Sequence, residues 1–121
     1  MNIPSGVDAE RLEAIRCVLP SSTIAQDAGH LLALLADPGR IRLPAALTAA
    51  GELCVRDLAA VVGRNTSAVS HALRMLRGHR IVRARRAGRP AYYRLTDAHV
   101  RNLLQLAIAH VTHPPRSSAD V

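Results

Sequence analysis

Near one end of this sequence stand four residues that could hold a metal ion: Asp97, His99, His110 and His113. Imidazole nitrogens and a carboxylate oxygen are good ligands for zinc, with bonds near ~2 Å. His110 and His113 are three residues apart, so on a helix they share a face and can chelate one ion. His99 and His110 are eleven apart. Eleven steps of about 100° return to nearly the same helix face, but the rise is about 16 Å. One ion cannot bridge that gap. The four groups meet only if a second copy of the helix lies antiparallel, so that Asp97 and His99 of one chain face His110 and His113 of the other. A two-fold axis near Gln105 then creates two identical sites. Three neutral imidazoles and one carboxylate make a closed tetrahedral shell suited to Zn(II), with Co(II) tolerated. Taken singly, Asp97 reads as a helix N-cap and each His as a polar residue near a helix end. The spacing of all four outweighs those plainer roles.

A second set of residues suits DNA. Over residues 66–78, Val69, Ala72, Leu73 and Leu76 form one helical stripe. Ser67, Ser70, His71, Arg74 and Arg77 fall largely on the other face. A helix anchored by aliphatics and offering Ser, His and Arg outward suits the major groove, where Arg can donate two hydrogen bonds to guanine. An ordinary amphipathic surface helix would show the same stripe, so the flanking elements matter. Residues 55–62 read as a short helix closed by Gly63, which completes a helix-turn-helix. After Gly78, Ile81–Arg86 alternates apolar and basic residues and Ala91–Leu95 reads as a return strand, with 87–90 as the turn. Arg83, Arg85, Arg86 and Arg89 cluster on this hairpin and can reach the neighbouring groove or backbone. Helix-turn-helix plus basic hairpin is a winged helix, and operator double-stranded DNA is the expected partner.

The remaining elements carry these two sets. Residues 8–18 have helical spacing, with Pro20 beyond them as a stop. Ser21 or Ser22 caps a second helix running to about Leu35. Asp37-Pro38 is an N-cap followed by Pro at the first helical position, with Gly51 at the far end. Pro44 falls inside this third helix and is expected to kink or shorten it. Gly78 is the expected C-cap of the recognition helix, and Asp97 caps a last helix that ends before Pro114-Pro115. Residues 1–6 are expected to form a flexible arm, 7–113 one DNA-binding and dimerisation domain, and 114–121 a disordered tail.

Composition narrows the class. The chain has 121 residues, 49% of them apolar, no Phe or Trp and only two Tyr. A core of small aliphatics gains much from burying further surface in an oligomer. The net charge is +7, and all sixteen basic residues are Arg. That surplus favours a polyanion, and the Arg fork suits nucleic acid better than a membrane. Two cysteines make no disulfide framework. No apolar run approaches a membrane span and no signal-peptide pattern appears, so a cytoplasmic protein without a membrane partner is expected. H-E-x-x-H, Ser-His-Asp and Gly-rich phosphate-loop patterns are absent, and a closed zinc shell leaves no open position. Neither an enzyme nor a small-molecule substrate is expected.

Four ordered segments carry a family resemblance. They are Leu35–Leu43, Glu52–Leu58, Ser67–Leu76 and Gly88–Leu95, and they resemble the signature of the ArsR/SmtB repressors over about residues 24–113. The resemblance implies a mainly α winged helix-turn-helix with a small β-hairpin wing, homodimeric through its first and last helices. It implies a repressor that binds operator DNA when metal-free and leaves it when metal binds. D-x-H followed by H-x-x-H is similar to the last-helix site of the zinc- and cobalt-sensing branch. A nickel- and cobalt-sensing relative adds further terminal ligands, whereas here no His precedes His30 or follows His113; Ni(II) stays as the alternative ion. The resemblance also implies a relay from His110 to the backbone carbonyl near Arg80. Cys54 and Asp57 stand where some relatives bind metal, with Cys17 as a third candidate, but Arg56 replaces the second Cys of Cys-x-Cys and repels a cation. Response to thiol oxidation through Cys17 and Cys54, or to a non-metal signal, is the competing reading. Pro44 and Ala72 depart from the family pattern.

Overall fold

A computed structural model describes residues 7–86 and 88–113. The expectations for the arm 1–6 and the tail 114–121 fall outside the described residues. Two compact units divide the chain, residues 1–33 and 34–121.

The first unit contains α1 (Ala9–Val18) and most of α2 (Ser22–Leu35). The Asp8 carboxylate caps α1 by accepting from the Arg11 N–H at 2.8 Å. The Ser21 hydroxyl accepts from the Ile24 N–H at 3.2 Å and starts α2. None of this unit's described residues is buried. Leu12, Ile15, Ile24 and Leu32 are 45, 46, 60 and 52% exposed, so the unit has the apolar residues of an amphipathic pair without a core to receive them.

The second unit holds the core. Its elements are α3 (Pro38–Ala50), β1 (Leu53–Cys54), α4 (Val55–Val62), α5 (Thr66–Gly78), β2 (Val82–Arg86), β3 (Ala91–Leu95) and α6 (Ala98–Thr112). The Asp37 carboxylate caps α3 at 2.8 Å from the Arg40 N–H, with Pro38 at the first turn. Of the kink or shortening expected at Pro44, the shortening does not occur: α3 continues to Ala50. Pro44 is itself buried beside Leu43 and Leu47, so core packing offsets the lost hydrogen bond. β1, absent from the sequence reading, pairs Leu53 with Tyr93 and Cys54 with Tyr92. The antiparallel sheet order is β1-β3-β2. α3 packs on α4, β3 and α6, and α4 packs on α5. Leu58, Leu73, Leu76 and Ile81 are fully buried where these elements meet, and each contributes about 1.5–3 kcal/mol.

Two chain reversals aim α5. Gly63 ends α4 in the left-handed region (φ 71°, ψ 37°), where a side chain would add strain. Asn65 then caps α5, its side-chain oxygen accepting from the Ala68 N–H at 2.7 Å. At the other end Gly78 is the last helical residue rather than the C-cap. His79 caps the helix, and Arg80 takes the left-handed conformation at φ 61°. Ile81 N–H donates to Leu76 C=O at 2.9 Å and Arg80 N–H to Arg77 C=O at 3.0 Å, the paired bonds of a Schellman motif. Burial of both Ile81 and Leu76 selects this register over one ending at glycine. Arg80→Gly should therefore relieve about 1–2 kcal/mol of strain, less what glycine loses in chain entropy. We expect a melting temperature higher by about 2–5 °C. A lower value would show that the Arg80 side chain contributes more than its backbone costs.

Candidate functional site

α5 presents the face the sequence describes. Val69, Ala72, Leu73 and Leu76 are buried, and Ser67, His71, Arg74 and Arg77 are exposed. Ser70 is half-buried at the edge of the stripe. Because Asn65 is the cap, Thr66 and Ser67 occupy the first turn with free side chains, where backbone N–H groups and the helix dipole favour phosphate. Arg64, in the turn between α4 and α5, lines a hollow with Arg40 and His71. It is exposed and one residue from the helix start, and the sequence reading passed over it. Its signal was position alone: a basic residue inside the turn of a helix-turn-helix.

The wing divides its arginines. Arg86 and Arg89 are exposed at its tip, beside Gly88 at φ 73°. Arg85 lies back on the sheet. It donates to both Glu52 carboxylate oxygens, at 2.6 and 3.1 Å, and its guanidinium lies 5.3 Å from the Tyr92 ring centre. The hydrogen bond from Arg85 holds the Glu52 carboxyl below its usual range and raises the Arg85 pKa.

α6 separates the proposed metal ligands as its rise requires. Asp97 is the N-cap, with one carboxylate oxygen accepting from the His99 N–H at 2.9 Å. The His99 Nδ1 lies 3.3 Å from the same oxygen, and the His99 side chain is 91% exposed. His110 lies in the last turn and is exposed. His113 is the C-cap rather than a helical residue, with extended backbone at φ −69° and ψ 143°. Pro follows it in the sequence, and the residue before a proline is driven out of the helical region. The Asp97–His99 pair and the His110–His113 pair thus occupy opposite ends of one 15-residue helix. Among the described residues of the single chain, no three His, Cys, Asp or Glu side chains gather to hold an ion. No hydrogen bond among the described residues joins the His110 ring to Arg80. Between the two ends, Leu106 is 71% exposed on the face of His99 and His110, whereas Val100 and Leu104 are buried on the other side; Ile108 and Val111, one and two turns beyond Leu104 on its side, are 45 and 77% exposed.

The cysteines are both free, Cys17 exposed and Cys54 half-buried. Cys54 caps α4 through its backbone without a side-chain hydrogen bond. It lines a cavity of about 560 Å³ together with Arg56, Asp57 and Tyr92.

The profile of the bacterial regulatory protein, arsR family, matches residues 37–84, from the α3 cap into β2. A transcriptional repressor SmtB homolog from Synechocystis is 48% identical over 103 residues, covering 83% of this chain and 77% of that protein. This chain belongs to the arsR family. The crystal structure of the AntR antimony-specific transcriptional repressor matches with a TM-score of 0.72 and 38% identity. That match covers 90% of this chain and 91% of AntR. A homodimeric winged helix-turn-helix DNA-binding domain from Mycobacterium bovis matches with a TM-score of 0.68 and 25% identity, over 83% and 99% of the two chains.

Within this arsR-family chain, helix-turn-helix and wing form a winged helix-turn-helix carried by α4, α5, β2 and β3. No described helix is long and apolar enough to cross a membrane. The arsR-family profile ends at residue 84, before α6 with Asp97, His99, His110 and His113.

Proposed function

We propose that the protein is a homodimeric, metal-responsive transcriptional repressor of the cytoplasm. It binds operator DNA when metal-free and is released by Zn(II), with Co(II) tolerated. The observation that carries this reading is the division of ligands on α6: Asp97 and His99 at one end, His110 and His113 at the other, with the exposed Leu106 between them on the face of His99 and His110. Antiparallel pairing of two α6 helices through this face covers Leu106 and brings each ligand pair to the complementary pair of the second copy. The donor set fits the ion. Three exposed imidazoles and one carboxylate, with a carboxylate oxygen free of hydrogen bonds among the described residues, suit a tetrahedral N₃O shell. Relatives whose names specify a repressor, an antimony-specific repressor and a homodimer support the reading.

Bound Zn(II) would tie the two α6 helices together through these four side chains. The protein does the rest. α6 packs on α3 and β3, and α3 packs on α4, which carries α5, so constraint at α6 is passed to the reading head. Two α5 helices must stand about 34–36 Å apart to enter successive major grooves. His110, ligating through one ring nitrogen, can donate from the other to the carbonyl near Arg80, just beyond α5.

The test is binding to duplex DNA from upstream of the protein's own gene, titrated with Zn(II), Co(II) and Ni(II). Zinc should weaken DNA binding by roughly 5–150-fold, and DNA should weaken zinc binding by the same factor. DNA affinity unaffected by all three ions rules the proposal out. The absorption spectrum of the Co(II) form should be tetrahedral; octahedral coordination would favour the nickel alternative. His110→Asn should keep zinc yet lose much of the release, and full release in that variant removes the relay.

A further inference from the structure

The strand register lays out one face of the wing. Cys54, Tyr92 and Arg85 stand abreast on β1, β3 and β2. Two rungs further from the tip, Arg83 faces Arg94. Residues two apart on a strand share a face, so Arg83, Arg85 and Arg94 lie on one side of the sheet, and the buried Val82 lies on the other. Leu53 pairs with Tyr93, so Glu52, one residue earlier, stands level with Arg94 on the arginine side. One carboxylate thus enters a face of three like charges.

Arg85 is placed to add to the charge of the wing tip. Its rung is next to Arg86–Ala91, about 3.3 Å away, and an extended arginine side chain spans more than that. Arg86 and Arg89 are exposed there. Arg85 pairs with Glu52 instead. Its Nε and Nη2 donate to the two carboxylate oxygens at 3.1 and 2.6 Å, and its guanidinium lies 5.3 Å from the Tyr92 ring centre. Most exposed ion pairs contribute little, but a two-pronged arginine–carboxylate pair is the geometry that holds. The Glu52 side chain is only 27% exposed, so its own positions are restricted. Among the described residues, no other wing arginine forms an ion pair. A guanidinium neutralised in this way contributes little to the counterion release that drives binding to phosphates.

We propose that Glu52 is a positioning residue of the wing: it neutralises Arg85 and holds it out of the DNA interface, leaving Arg86 and Arg89 to supply the tip's charge. The inference rests on the DNA-binding reading above. Phosphate contacts carry no base information, so withholding one lowers the affinity for DNA of any sequence. Glu52 therefore limits how strongly the wing holds DNA that is not an operator.

The test is the salt dependence of binding to a short duplex of arbitrary sequence, with full-length, metal-free protein. Between about 50 and 200 mM salt, each phosphate contact contributes roughly 0.9 to the slope of log affinity against log salt. Arg85→Gln should leave the wild-type slope unchanged, whereas Arg86→Gln and Arg89→Gln should each lower it by about one. Glu52→Gln should steepen it by about one and tighten binding at low salt, because Arg85 then reaches a phosphate. Glu52→Gln/Arg85→Gln should return to the wild-type slope. Glu10→Gln removes a negative charge from α1 and should change nothing. If Glu52 served only the fold, Glu52→Gln would weaken binding without steepening the slope and the double variant would not restore it; that result overturns the proposal. So does a slope lowered by about one in Arg85→Gln alone, a surface change that leaves the core intact. A wild-type protein that binds duplex DNA at no salt concentration removes the DNA reading and this inference with it, whereas the two preceding results remove the inference only.

Discussion

Two variants that bind no zinc alone should recover it when mixed. In a His99→Ala homodimer both proposed sites lack a ligand, and the same holds for His110→Ala. In a heterodimer one site loses both residues, while the other combines Asp97 and His99 of the His110→Ala chain with His110 and His113 of the His99→Ala chain. Random exchange of equal amounts makes half the dimers mixed, giving about one ion per four chains. Each separate variant should lose at least about 100-fold in affinity, because altering even a group behind a ligand costs 10–100-fold. Equilibrium dialysis of the two variants and their mixture reads the result directly. Normal binding by either variant would place the ion elsewhere, and a mixture as inactive as its components would show that the ligands do not come from two chains. The physical basis is the 15-residue length of α6, too long for one ion to touch both ends.

The second large effect is expected at Arg74. This exposed residue stands on α5 between the buried Leu73 and the Leu76 that anchor the helix, so its guanidinium is held toward solvent. Arg74→Ala should cost about 1–3 kcal/mol of operator binding, roughly 5–150-fold, and should relax base preference at one position of each half-site. Arg89→Ala, at the wing tip, should weaken all sequences alike and lower the salt slope by about one. Competition binding with single-base operator variants at two salt concentrations separates the two behaviours. Uniform weakening in Arg74→Ala would assign that residue to the phosphate backbone instead.

Periodicity made the recognition helix legible. Apolar residues at helical spacing from Val69 to Leu76 have one favourable burial, and the structure buries those residues. Asp37 and Asp97 caps were readable because a short polar side chain ahead of an apolar stripe has few better uses. Other features depended on what surrounds each residue. Pro44 stays inside α3 because the core encloses it. The strained turn falls on Arg80 rather than Gly78 because Ile81 must reach the core. β1 escaped notice because two residues carry no period, and only β3 beside them makes them a strand.

By itself, then, the sequence determined the order of the helices and the wing strands, the outward face of α5 and the spacing that forbids a one-chain metal site, since these follow from local geometry repeated along the chain. The tertiary structure decided that Arg85 is held by Glu52, and that Arg83 stands opposite Arg94 across the wing. Those groups come from different elements. Only strand register and helix packing bring them together, and neither is encoded in the spacing of any single segment.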